Sequence, residues 1–313
     1  MNNRRNAAVI VLSLLLIAGA APALPAVQAQ DVATDLAALC PAREEPIAIG
    51  ERPQALTAVP DGIAITALAH HSAMQLPEGT AFVLSLDHLT LAAGNETKTR
   101  RTVGPTLFLV QDGTMAVIDN GRARQLVAHP GSEPSESALV ERNHLVKLQN
   151  TGDDAGRVLL LGLLPPEGQL PIGPFGQPAS IWIPFPEERE QLTHRQMLSG
   201  EISGLAREET ALFAACLHWT NPAAEIPATR YPGPVGVLVL RGQALVNDTA
   251  RIGAGQCWLS PSYASLRIRA GEPALDLVFF GALRTSAQPQ IAAGESDATA
   301  SLDCAGPTAT DGT

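Results

Sequence analysis

The sequence predicts an all-β protein built from two tandem copies of one module, and three observations predict it. First, Gly104-Pro105-x3-Leu109-Val110-x2-Gly113 recurs as Gly233-Pro234-x3-Leu238-Val239-x2-Gly242, a constant offset of 129 residues (Gly104 to Gly233, Gly113 to Gly242). Glu96 recurs as Glu225 at the same offset. A fixed period over that length marks two copies of one structural unit. Second, nearly every periodic segment alternates apolar and polar residues with period two, as a half-buried strand does. Third, Asp-Gly and Asn-Gly pairs punctuate these runs, and they are the strongest local hairpin signals.

In chain order, residues 1–29 read as a secretory signal peptide. Arg4 and Arg5 give a positive start, Ala7 to Ala21 is apolar, and Val27-Gln28-Ala29 is a cleavage site. The apolar run is shorter than the about 20 residues of a membrane span. Residues 30–54 form an N-terminal extension. The first module, 55–165, carries strands at Ala81 to Leu91, Leu107 to Gln111, Thr114 to Ile118, His144 to Gln149 and Arg157 to Leu164. A connector, 166–204, is rich in proline and glycine. Its apolar run Ile181-Trp182-Ile183-Pro184-Phe185 is expected to pack on a barrel face, and Pro186 to Met197 reads as a short helix with proline and acids at its start. The second module, 205–285, repeats the strands at Ala211 to Trp219, Gly236 to Leu240, Gln243 to Val246, Gln256 to Leu259, Ser265 to Arg269 and Ala274 to Phe280. Short strands so spaced indicate a sandwich or barrel. A small polar tail, 286–313, ends the chain.

Formal net charge is −10 over 313 residues and becomes −12 once the two signal-peptide arginines are removed. This argues against a nucleic-acid partner, which demands a basic patch, and against an anionic membrane surface. No run beyond the signal is long and apolar enough to span a bilayer after signal cleavage, so a secreted or extracytoplasmic location (periplasm or cell exterior) is expected. The cysteines are Cys40, Cys216, Cys257 and Cys304, which allow three disulfide connectivities. The second module holds two cysteines whose counterparts the first lacks, which suggests Cys216–Cys257. The outer pair would then be Cys40–Cys304. No C-x-x-C, G-x-S-x-G, Walker or dinucleotide signature occurs.

At this point the chain resembles the cupin superfamily, as a two-module bicupin. The first cupin motif, G-x5-H-x-H-x3-4-E-x6-G, maps onto Gly94, then Arg100-Arg101-Thr102, Thr106 and Gly113. In the second module it maps onto Ala223, Thr229-Arg230-Tyr231, Val235 and Gly242. The second motif maps onto Gly255 and Pro261 with Leu266 at the histidine position. In the first module its end matches Asn150-Thr151-Gly152-Asp153, which puts Val146 at the histidine position. The resemblance implies two tandem cupin jelly-roll barrels with a Pro/Gly-rich connector. It also implies that Arg100, Thr102, Thr106, Val146, Thr229, Tyr231, Val235 and Leu266 line the barrels where metal ligands would stand.

None of those eight, tyrosine aside, is a usual metal donor, and Arg100 repels a cation. No metal and no cofactor is therefore expected. His70, His71, His88, His144 and His218 fall near strands, but no spacing among them resembles a ligand set. Tyr231 could donate a proton as some epimerases of this fold do, yet no base is evident beside it. The leading reading is a noncatalytic, exported module that binds a small organic ligand or has a structural or interaction role. A ligand would meet Arg100, Thr102 and Thr106 in the first module, or Thr229, Tyr231, Trp219 and Trp258 in the second. The rival reading is a dioxygenase-, isomerase- or epimerase-like enzyme with relocated groups. A homo-oligomer is compatible with either.

Overall fold

The structure is a computed structural model that describes residues 56–73, 81–128, 136–165, 182–203, 210–292 and 302–303. The first half of the chain forms β1 (Ile63–Ala73), β2 (Ala81–Leu91), β3 (Arg100–Arg101), β4 (Thr106–Asp112), β5 (Thr114–Asp119), β6 (Arg122–Val127), β7 (Ser137–Val140), β8 (Leu145–Asn150) and β9 (Gly156–Leu164). The second half repeats them as β10 (Leu192–Ser203), β11 (Thr210–Trp219), β12 (Glu225–Arg230), β13 (Val235–Arg241), β14 (Gln243–Val246), β15 (Ala250–Gly253), β16 (Cys257–Ser260), β17 (Ser265–Ala270) and β18 (Asp276–Arg284). Two short strands follow, β19 (Gln290–Ile291) and β20 (Leu302–Asp303).

Within each module the strands divide between two sheets, and most consecutive strands lie in different sheets, the hairpins β5-β6 and β14-β15 excepted. In the first module the orders are β10-β2-β9-β4-β7 and β3-β8-β5-β6. In the second they are β1-β11-β18-β13-β16-β20 and β15-β14-β17-β12-β19. Apart from the short strands β19 and β20 the two modules have identical order: eight strands of the module's own repeat, four in each sheet, form a jelly roll, and one strand from the other repeat is added at an edge. The fold is all-β; β7, β8 and β14 alternate buried and partly exposed residues, whereas β2, β4, β9, β11, β13 and β18 are buried on both faces.

The first strand of each repeat is exchanged. β1 opens the first repeat but pairs with β11 of the second module. β10 opens the second repeat but pairs with β2 of the first. Ile63 and Leu192, which begin the exchanged strands, are 129 residues apart. The expected boundaries at 55–165 and 205–285 therefore cut across the sheets. The connector also differs from expectation. Of the expected helix from Pro186 to Met197, only Pro186–Glu188 is helical, as one 3-10 turn, and Leu192–Ser203 is a strand. The Glu188 carboxylate binds back to the Phe185 N–H at 2.8 Å, and the chain then leaves the turn to complete the neighbouring sheet.

Three apolar clusters follow from this arrangement. One fills the first jelly roll (Leu89, Phe108, Val110, Met115, Val146, Leu160, Trp182). One fills the second (Ile63, Phe213, Trp219, Tyr231, Val237, Leu266, Phe279). The third is shared: Phe82, Leu84, Leu107, Leu161 and Met197 of one module pack on Leu212, Cys216, Leu238, Val278 and Phe280 of the other. The exchanged strands serve two clusters each. In β10, Leu192 faces the first jelly roll and Met197, an odd number of residues on, the shared cluster. In β1 a bulge between Ile65 and Ala67 shifts the alternation, so Ile65 faces the second jelly roll while Ala69 faces the shared cluster; β10 has a register shift of its own between Gln196 and Leu198. A bulge adds one residue to one strand and thereby swaps its faces.

The expected Cys216–Cys257 bridge does not fit this sheet. Cys216 pairs Val278, Val278 pairs Leu238, and Leu238 pairs Cys257. Three strand spacings come to roughly 14 Å, whereas a disulfide needs Cα atoms within about 7 Å. Cys40, Cys304 and the signal peptide lie outside the described residues.

Candidate functional site

The positions that the cupin motifs point to are all buried inside the two jelly rolls: Arg100, Thr102, Thr106 and Val146 in the first, and Thr229, Tyr231, Val235 and Leu266 in the second. β3 and β8 set Arg100 opposite Val146, and β12 and β17 set Thr229 opposite Leu266. All eight residues are at most 6% exposed. Each polar group among them but one is hydrogen-bonded to the fold itself. Thr102 Oγ1 donates to the Glu141 carbonyl at 2.5 Å and accepts from the His144 N–H at 3.0 Å. Thr106 Oγ1 donates to the Gly104 carbonyl at 3.3 Å, and Thr229 Oγ1 to the Pro227 carbonyl at 2.7 Å. The exception is the Tyr231 hydroxyl, which has no partner in hydrogen-bonding geometry.

Arg100 is held hardest. Its Nη1 donates to Glu188 Oε1 at 3.0 Å and to the Lys98 carbonyl at 2.9 Å, and its Nη2 makes a close contact with Glu188 Oε2. Its guanidinium carbon lies 5.3 Å from the Trp182 ring centre and 4.8 Å from that of Phe185. Glu188 also accepts from the backbone N–H of Lys98 at 2.5 Å. Burial alone would raise the Glu188 carboxyl. The Arg100 hydrogen bonds, the Lys98 and Phe185 N–H groups and the guanidinium charge outweigh it and hold the carboxyl below its ordinary value. A group depressed in the folded state stabilises the fold above its unfolded value and loses that contribution as pH falls through the folded value. We therefore expect Glu188 to stabilise fully above pH 4.5 and progressively less below it. Urea unfolding of wild type and Glu188→Gln at pH 7, 4 and 3 checks this: the gap between them should narrow as pH falls.

The donor set does not fit a metal. An arginine already paired, three threonines bonded to carbonyls and four apolar or phenolic side chains offer no imidazole–carboxylate set. The other histidines do not supply one. His144 Nδ1 meets Asp119 at 2.8 Å, His71 Nε2 meets Ser137 Oγ at 2.9 Å, and His218 contacts Asp276. Among the described residues no group of three or more His, Cys, Asp and Glu side chains could hold a metal ion.

The connector closes the first jelly roll. Trp182 is 1% exposed and packs edge-on against Phe108, ring centres 5.5 Å apart. Beneath it is a cavity of about 10 Å³ lined by Ser85, Asp87, Thr106, Leu160, Gly162, Leu164 and Trp182, room for about one water. Here lies a cluster that the sequence reading missed. Ser85 Oγ donates to Asp87 Oδ2, and His194 Nε2 meets Asp87 Oδ1 at 2.8 Å. The repeat could have revealed it, since His194 stands 129 residues after Ile65. The chemistry is not that of a hydrolytic triad: the carboxylate sits between serine and histidine, whereas activation needs histidine in the middle.

The second jelly roll is apolar at the matching level. Strand register makes Phe213, Gly281 and Val235 the counterparts of Ser85, Gly162 and Thr106. Phe279 meets Phe213 and Tyr231 edge-on at 5.3 and 5.5 Å. Burial drives the Tyr231 phenol up, against a weaker opposite pull from Thr229, so it stays protonated and is a poor acid. Trp219 Nε1 donates to the Ala224 carbonyl at 2.9 Å, a structural contact. The larger hollow, about 460 Å³, is outside the barrel, between Glu225, Gln243, Leu245, Arg251 and Arg269.

The double jelly roll implied by the cupin resemblance is the architecture the strand pairing shows. No family model matches the sequence, and no curated protein matches it. Similar solved structures include oxalate decarboxylase from Lactobacillus farciminis (11% identity, TM-score 0.40, covering 71% of this chain and 88% of that one). They also include a cupin 2 conserved barrel domain protein from Leptotrichia buccalis (13%, 0.34, 69% and 89%) and salicylate 1,2-dioxygenase from Pseudaminobacter salicylatoxidans (14%, 0.35, 63% and 70%). Likeness at this level adds nothing to what the strand order establishes.

Proposed function

We propose that the protein is an exported, noncatalytic double jelly roll whose work is done by its surface as a structural or interaction module. One observation carries this reading: both interiors are filled. Aromatic side chains occupy the second, and Trp182 closes the first over a space of about 10 Å³. A small-molecule site needs some 300 Å³ or more. The expected binding set of Arg100, Thr102 and Thr106 supports the fold instead, because both guanidinium Nη atoms and both hydroxyls are already engaged. Among the described residues no helix is long and apolar enough to cross a membrane.

The test is metal analysis and thermal denaturation of the mature protein. We expect no stoichiometric iron, manganese or zinc after purification without chelator. We also expect no rise in Tm when each ion is added at millimolar concentration. A bound equivalent of any of them would overturn the reading. Export is tested separately by intact mass, which should show a chain beginning near Gln30.

The enzyme reading keeps one observation in its favour, the buried Ser85–Asp87–His194 cluster beside the cavity. Buried ionisable groups concentrate at functional sites. Trp182 lines the cavity next to Asp87, so that reading calls for Trp182 to move aside for a substrate and for exchange broadening of its indole signal in solution.

A further inference from the structure

The strands dictate which partners two of the cysteines can take. Cys216 and Cys257 are not free thiols. They cannot bond to each other, because β18 and β13 lie between their strands. β20 pairs antiparallel with β16, with Trp258 opposite Asp303 and Leu259 opposite Leu302. Residue 304 lies outside the described residues, and the same register carried on by one step would bring it opposite Cys257. Directly opposed residues in an antiparallel ladder have Cα atoms about 4.5–5.5 Å apart and side chains on one face, inside the window a disulfide requires. The residue at 304 is a cysteine.

We infer that Cys257 is bonded to Cys304 and that Cys216 is bonded to the remaining cysteine, Cys40. Each bond forms by joining two sulfurs with loss of two protons and two electrons. The electrons pass to a disulfide donor, which is reduced to its dithiol. The first bond has a structural purpose. Without β20, β16 would be the open edge of a five-stranded sheet, and exposed edges invite pairing with other chains. β20 covers it with only two residue pairs. A covalent link one residue beyond supplies the hold that so short a strand lacks. The second bond ties the N-terminal extension to β11, whose Cys216 is buried in the shared cluster.

The pairing rests on strand register and stands whether or not the chain is exported. The mature full-length protein is therefore purified and equilibrated with oxidised glutathione, blocked with alkylating agent without reduction, digested and analysed by mass spectrometry. Linked peptides joining 257 to 304 and 40 to 216, both abolished by reductant, are the expected result. Peptides joining 216 to 257 or 40 to 304, or four alkylated cysteines, would overturn it. Thiol counting in denaturant gives an independent reading: the double variant Cys257→Ser/Cys304→Ser should titrate no thiol, and Cys304→Ser alone should titrate one. Two thiols in the double variant would contradict the pairing.

Discussion

Replacing Glu188 by leucine, or Arg100 by methionine, should each destabilise the protein by about 3–5 kcal/mol, and the double replacement should recover most of that loss. The two side chains are each 4% exposed. Removing one partner leaves the other charge buried without its counter-ion, which is the costly case. Removing both leaves an apolar pair beside Trp182 and Phe185, which already pack on the guanidinium. Replacing a buried ion pair by apolar groups of similar volume is often neutral. Urea midpoints at pH 7 measure all three variants. Single variants that lose under about 1 kcal/mol would mean that the pair is solvated, and the closure of the first jelly roll by the connector would have to be abandoned.

The Gly242→Ala variant should fail to fold, or lose more than about 4 kcal/mol, while Gly121→Ala loses only about 1–2 kcal/mol. Both glycines have positive φ, +80° and +79°, and a left-handed residue with a Cβ costs about 1–2 kcal/mol by itself. They differ in space. A Cβ at Gly242 would come within 1.9 Å of the Ala274 carbonyl oxygen, whereas at Gly121 nothing lies within 4 Å. Gly242 closes the repeated pattern and turns β13 into β14 against the entry to β18. Equal losses in the two variants, by urea denaturation, would show that the backbone approach at Gly242 is not real.

How much was legible in the sequence varies by element. The 129-residue offset and the period-two runs marked the repeat and the long strands β2, β9, β11 and β18, but not the exchanged strands β1 and β10, because a strand's alternation of faces is a local property of the chain whereas its exchange is not. Gly113 and Gly242 were legible for a related reason: only the turn they make needs positive φ there. The inward placement of Arg100, Thr106, Tyr231 and Val235 was readable from motif spacing alone. The strand β10 was not. Pro186 and the acids after it carry a helix-start signal, and nothing local says that Glu188 will be taken by Arg100, 88 residues earlier. His194 was lost with that strand, and the Asp87 cluster with it.

By itself, the sequence determined an all-β chain, its duplication, its turns and the absence of a metal-ligand set at the motif positions. These follow from residue type and near-neighbour spacing, which act over a few residues. Only the tertiary structure decided that the leading strands are exchanged, that Trp182 stops one interior while aromatic rings fill the other, and that Cys216 and Cys257 stand too far apart to join. Those outcomes depend on which strand edges meet and which volumes remain between sheets, and such long-range choices are settled by packing.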